Sequence, residues 1–256
     1  MSKFMDESWQ KIFDDLKIGC HNFDEVPFYL DAEQIKKSCQ DFLSTGQKEV
    51  RILCKQDTRN HRPQVFKDLG LFILPVTNGR YAIIKGEGYV DIAPIKKVEE
   101  LYVSKLDFQL DTASVGDSEM QHLDFAYASS LIRTFMTDDT LVLTIRGRKY
   151  TPKFSFNVGQ QKIEVQSVQT EVDAGYEGKN QVVLVEAKNF SASNVIIRQL
   201  YYPFRQWQAH THKKVVTLFF AKQDDTYSIW HYKFNNNDDY NSIELVNSGR
   251  YKINAR

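Results

Sequence analysis

The chain has 256 residues, 33 Lys plus Arg against 33 Asp plus Glu, and 13% aromatic residues. That length holds one large domain or two small ones with a full core, and that aromatic content excludes a disordered chain. The even charge count excludes a surface coated in basic charge, although a neutral total can still hide a basic cleft. Cys20, Cys39 and Cys54 match no zinc spacing and are odd in number, which points to reduced cysteines and a cytoplasmic location. No apolar run reaches the roughly 18 residues that span a membrane, and MSKFMDESWQ lacks an apolar signal core, so no membrane association is expected.

Trp9, Ile12, Phe13 and Leu16 recur at helical spacing and predict an amphipathic helix. A second helix is expected from Ala32, with Asp31 as N-cap, Gln34 three residues on, and an end at Ser44-Thr45-Gly46. Val50, Ile52 and Cys54 alternate with Arg51, Leu53 and Lys55, which suggests a strand. The polar run Gln56–Pro63 contains Arg59 and Arg62. It reads either as a solvated connection or as a loop that touches phosphates or base edges of DNA. Leu71–Val76 and Tyr81–Lys85 flank Thr77-Asn78-Gly79-Arg80, and Asn-Gly between apolar runs predicts a hairpin. Gly86, Gly88 and Pro94 mark turns, and Leu110–Gly116 reads as a linker. A boundary near Val115 divides the chain into an N-terminal α+β module (1–115) and a second domain (116–256).

Ser118-Glu119-Met120-Gln121 has the capping-box pattern. It opens a helix with Met120, Leu123, Tyr127, Leu131 and Phe135 on one face, ending near Thr137. Thr140–Ile145 is strand-like and is followed by a basic cluster, Arg146, Arg148, Lys149 and Lys153. Phe154–Phe156 alternates like a strand, and Ile163–Val172 predicts a long bent one. A turn, the apolar strand Val182–Val185, a helix over 192–209 and two final strands, Val215–Ala221 and Tyr227–Phe234, complete the order. The fold class expected is α+β or α/β, with a mixed central sheet flanked by helices. His210 and His212 fall at a helix end, where a cation suits the helix dipole.

Val182–Val185 reads as a strand covered on both faces, yet it runs directly into Glu186-Ala187-Lys188. Residues two apart in a strand share a face, so Glu186 and Lys188 point the same way. A hairpin centred between Lys179 and Asn180 sets Asp173 opposite Glu186 and Glu171 opposite Lys188, with directly opposed Cβ atoms about 5 Å apart. Carboxylates that close repel unless a cation lies between them. Hard oxygen ligands select Mg²⁺ or a similar ion, and Lys188 is then placed to polarise a water or to stabilise charge on a phosphate.

This arrangement resembles the PD-(D/E)xK nuclease superfamily. Asp173 matches the first acidic position and Glu186-Ala187-Lys188 the (D/E)xK element, while Val172 stands where the motif's name has proline. The element order from Ser118 to Phe234 is similar to the superfamily core, and Gln199 falls where such nucleases often carry a polar residue near the site. The resemblance implies Mg²⁺-dependent hydrolysis of double-stranded DNA, with Asp173 and Glu186 as metal ligands, Lys188 as catalytic partner and Glu171 as a further carboxylate. Within the superfamily the chain looks most like a type II restriction endonuclease, which implies a homodimer and a cognate DNA methyltransferase. Arg59, Arg62, Arg146 and Arg148 are the DNA-contact candidates. A structure-specific repair or junction nuclease, and a non-catalytic DNA-binding protein on the same fold, remain alternatives.

Overall fold

Helix α1 (Ser2–Asp15) buries Trp9, Ile12 and Phe13 on one face, as their spacing requires. In the computed structural model, which describes residues 2–189 and 193–254, Trp9 is the anchor of the first module. Its indole meets Phe66 edge-on at 4.7 Å between ring centroids, and its Nε1–H donates to Leu53 O at 3.0 Å. Around it lie β1 (Phe28–Asp31), α2 (Ala32–Ser38), α3 (Thr45–Lys48), α4 (Val50–Leu53), α5 (Gln64–Asp68), and the hairpin β2 (Leu71–Thr77) and β3 (Arg80–Lys85). The hairpin forms as expected, with β3 between β1 and β2. The Asp31 N–H donates to Gln34 Oε1 at 2.8 Å, so the start of α2 is also as expected. Helix α2 ends at Ser38, earlier than Ser44. The expected strand at Val50–Lys55 is helical instead. Six residues fit either period, and it is the pair Val50 and Leu53, three apart, that is buried against α1 and α5.

The chain continues through β4 (Tyr89–Asp91) and β5 (Glu100–Val103) to α6 (Glu119–Ala128) and α7 (Leu131–Met136). Ser118 caps α6 by accepting the Gln121 N–H. The single helix expected here is broken in two at Ser130, whose φ of 66° is left-handed. Next come β6 (Val142–Tyr150), β7 (Phe154–Val158), β8 (Gln161–Val165), β9 (Gln169–Glu177), β10 (Gln181–Lys188), β11 (Asn194–Ile196), α8 (Arg198–Gln208), β12 (Lys214–Gln223), β13 (Thr226–Phe234) and β14 (Ile243–Asn254). The long strand expected over Ile163–Val172 is two strands, β8 and β9, in different sheets. The expected helix start at Ala192 lies outside the described residues, and 194–196 is strand before α8 begins at Arg198. Strands β5 and β14 carry no clear alternation and were not expected. Their pairing joins residues 100–103, which a boundary at Val115 assigns to the first module, to the large sheet.

The molecule is a mixed α+β structure around a seven-stranded sheet of order β5-β14-β13-β12-β10-β9-β6. Strands β10 and β12 are parallel, and α8 lies on the crossover between them. Alternation along β10 divides the core. Val183, Val185 and Ala187 pack with Leu123, Ala126, Leu131 and Ile132 of α6 and α7. Val182 and Leu184 pack with Leu200, Tyr201 and Phe204 of α8. Glu186 and Lys188 continue the second set, so they emerge on the α8 side. Among the described residues no helix is long and apolar enough to cross a membrane.

Strand β9 is irregular where the sheet meets the site. Ile145 pairs with Gly175 and Gly147 with Val172, so Asp173 and Ala174 together oppose Arg146 alone. This two-against-one count is a β-bulge, which bends the strand and re-aims a side chain. Next to it, β6 presses so close that a Cβ on Gly175 would stand 2.6 Å from Ile145 Cβ. Gly175→Ala is expected to destabilise the fold by about 1–3 kcal/mol through overpacking. Urea unfolding would show a lower midpoint at unchanged m-value.

Candidate functional site

The β9–β10 ladder runs from Glu177 opposite Val182 to Ala174 opposite Val185. The next positions in that register are Asp173 and Glu186, the pair expected from counting the hairpin. Regular pairing ends there, and the side chains take over. Asp173 Oδ2 accepts the Ala187 N–H at 2.7 Å. Glu186 Oε1 accepts from Lys188 Nζ at 2.5 Å and from Gln199 Nε2 at 2.8 Å. Gln199 sits in the first turn of α8, so the crossover helix holds the carboxylate from above. Among the described residues no hydrogen bond reaches Asp173 Oδ1 or Glu186 Oε2.

Glu186 is buried. Burial pushes its carboxyl up to about 7, with the charge of Asp173 adding to the rise and the Lys188 ammonium opposing it. Burial also raises Asp173, against the Ala187 N–H and Lys188. For Lys188 burial works against the charge, but Glu186, Glu119 and Asp173 together hold its pKa above the ordinary value. The amine is therefore a fixed ammonium.

Glu119 was read from sequence only as part of a helix cap. Its carboxylate accepts the Asn189 N–H at 3.2 Å, immediately after β10, and it lines the same cleft as Asp173, Glu186 and Lys188. Its position at the start of α6 was visible; its approach to the end of β10 is a tertiary contact without a local signal. The cleft has a volume of about 660 Å³ and is bounded by both modules, with Arg51, Lys55 and the hairpin tip Thr77–Gly79 on the side of the first. Its lining holds five carboxylates, Asp57, Glu119, Glu171, Asp173 and Glu186, against four cations, Arg51, Lys55, Lys188 and Arg198. With every carboxyl ionised the lining charge is thus one negative.

The remaining expected residues separate. Glu171 lies beyond the bulge, opposite Arg148 on β6. Its exposed carboxylate meets Arg148 Nε at 3.3 Å, and the ladder does not continue to the expected pairing with Lys188. Arg146 turns inward, paired with Asp124 and reaching Asp173 O at 3.4 Å. Arg59 pairs with Glu87 and Asp91, and its N–H donates to Asn194 Oδ1 at 2.7 Å. Arg62 donates to Leu71 O at 3.1 Å and lies over the Tyr89 ring. These contacts fasten the 56–63 segment to β4 and β11, so of the four arginines only Arg148 is largely exposed.

Two adjacent, desolvated carboxylates with a free oxygen each suit a hard cation whose other ligands are water and substrate oxygens. Among the described residues no group of three His, Cys, Asp or Glu side chains could enclose a metal, so a full protein cage of the kind that holds zinc is not built here.

The chain belongs to the family described as Domain of unknown function (DUF6997), whose model matches residues 84–252. Residues 6–83 match a second family model, Domain of unknown function (DUF6996). The two matches meet within β3, and the carboxylate pair lies in the first family's segment. No curated protein and no solved structure matches the chain.

The raised Glu186 carboxyl has a pH signature. The native state binds this proton more tightly than the unfolded chain, so the group's contribution to stability falls as pH rises from about 4.5 to about 7. A cation at the pair must displace that proton. Thermal unfolding with millimolar Mg²⁺ should therefore show a larger upward shift of Tm at pH 8 than at pH 6. The shift should vanish in the Asp173→Asn, Glu186→Gln double variant.

Proposed function

We propose that the chain is a Mg²⁺-dependent endodeoxyribonuclease of the PD-(D/E)xK type, acting on double-stranded DNA as a site-specific restriction enzyme. The observation that carries this reading is the Asp173–Glu186 pair at the point where β9 and β10 stop pairing, with Lys188 bonded to Glu186. The order α6–α7, β6, β9, β10, α8, β12, with β12 parallel to β10, supports it, since it is similar to the superfamily core with β7–β8 and β11 inserted.

In this mechanism Asp173 and Glu186 would hold the ion, which would supply charge stabilisation at phosphate and an acidified water when bound. Attack of a water oxygen on phosphorus breaks the P–O3′ bond; a water proton passes to bulk solvent and the departing 3′ oxygen takes up a proton, leaving 5′-phosphate and 3′-hydroxyl ends. Lys188 is an ammonium in a partly enclosed cleft, so its role is electrostatic: it offsets the negative charge that grows on the phosphate oxygens. Gln199 keeps Glu186 in place through a neutral hydrogen bond that survives loss of the carboxyl proton. Cutting both strands calls for two such sites, hence a homodimer. A restriction role would pair the enzyme with a DNA methyltransferase.

Incubation with plasmid DNA and Mg²⁺ should give discrete fragments, abolished by EDTA. A smear would replace site-specific cutting with a structure-specific or non-specific nuclease, and intact plasmid under all conditions would favour a non-catalytic DNA-binding protein. Asp173→Asn, Glu186→Gln and Lys188→Ala should each lower the cleavage rate by about 10²-fold or more while leaving DNA binding largely intact. Normal cutting by Asp173→Asn would remove the paired-carboxylate mechanism.

A further inference from the structure

The two walls of the cleft differ in charge. One wall, from α6, β9 and β10, carries Glu119, Glu171, Asp173 and Glu186 around Lys188. The wall from the first module presents Arg51 from α4 and Lys55 just beyond it, with Asp57 as its one carboxylate. Arg51 is exposed and, among the described residues, forms no ion pair. The Lys55 side chain is 70% exposed and only loosely engaged, 3.6 Å from Asp57. Thus, among the described residues, the cations that the first module places in the cleft are these two, whereas Arg59 and Arg62 make internal contacts.

This wall is fixed to the rest of the molecule. The Gln166 N–H donates to Val76 O at 2.9 Å, the Ile196 N–H to Asp57 O at 2.9 Å, and Tyr202 OH to Pro75 O at 3.0 Å. The Trp9 indole ties α4 to α1 through Leu53 O. The backbone that carries Arg51 and Lys55 therefore has a set position along the cleft that also holds the carboxylate pair.

We propose that Arg51 and Lys55 form a phosphate-backbone contact surface, through which the first module holds a nucleic acid strand against the carboxylate wall. The inference rests on the nuclease reading and extends it to the role of the first module. Arg51, unpaired among the described residues, and a largely exposed Lys55, held only by a 3.6 Å pair with Asp57, suit phosphates. They carry no fixed hydrogen-bond pattern for base edges, so the contact adds affinity without sequence preference.

The test uses the full chain, two unrelated duplex oligonucleotides and fluorescence anisotropy over a range of salt, with Ca²⁺ replacing Mg²⁺ so that the probe survives. Arg51→Ala, Lys55→Ala should weaken binding to both duplexes alike and reduce the slope of log K against log salt by about 2. Lys252→Ala, at the other end of the large sheet, should leave the slope unchanged. With Mg²⁺ and plasmid below saturation, the double variant should cut more slowly, in step with its weaker binding. Cleavage with an unchanged salt slope would overturn the inference and leave the nuclease reading standing. Loss of binding to one duplex only would overturn it in favour of base readout. Failure of the unaltered chain to bind either duplex would overturn the nuclease reading and this inference together.

Discussion

Two carboxylates and one ammonium are held together, largely out of water, at the end of a paired hairpin. That is the constraint the rest of the structure serves. Each charge alone would be expensive to bury, and the set is tolerable only because every member has a fixed partner. Asp173 has the Ala187 N–H, and Glu186 has Lys188 and Gln199. The β9 bulge opposite Arg146 lets the chain depart from ladder geometry at that point, and Arg146 in turn reaches back to the Asp173 carbonyl while bound to Asp124 of α6. The sheet, α6 and α8 thus converge on a few atoms.

The cost shows in the Glu186 carboxyl, which burial lifts to about 7. A protein selected for stability alone would place an apolar residue after Val185, as the preceding run of four does. A local departure from the packing rule, at a strand end and beside a cleft, marks a candidate functional site. The first module adds the other half of the setting. Trp9 and the β2–β3 hairpin make a rigid wall that turns a strand end into a cleft.

Much of the site was legible because it depends on short-range geometry. Alternation along β10 and a count across one turn were enough to set Asp173 against Glu186 and to put Lys188 on the face of Glu186. Glu171 shows where that counting stops. The β9–β10 ladder stops before it, and an Arg148 partner on another strand took its carboxylate. Arg59, Arg62 and Arg146 show the same limit for charge. A cluster of basic residues in a sequence does not reveal which of them are already paired, and these three were claimed by Glu87 and Asp91, by the Leu71 carbonyl, and by Asp124.

By itself, then, the sequence determined the amphipathic first helix, the Asn-Gly hairpin, the capped start of α6, the buried β10 and the carboxylate pair at its end, since each follows from periods of 2 or 3.6 and from turn chemistry. Only the tertiary structure decided that Val50–Leu53 is helical, that β5 and β14 complete the large sheet, and that Glu119 reaches the end of β10. It also decided which cations of the first module face the cleft. Those outcomes depend on contacts between residues far apart in the chain, where neither spacing nor propensity carries a signal.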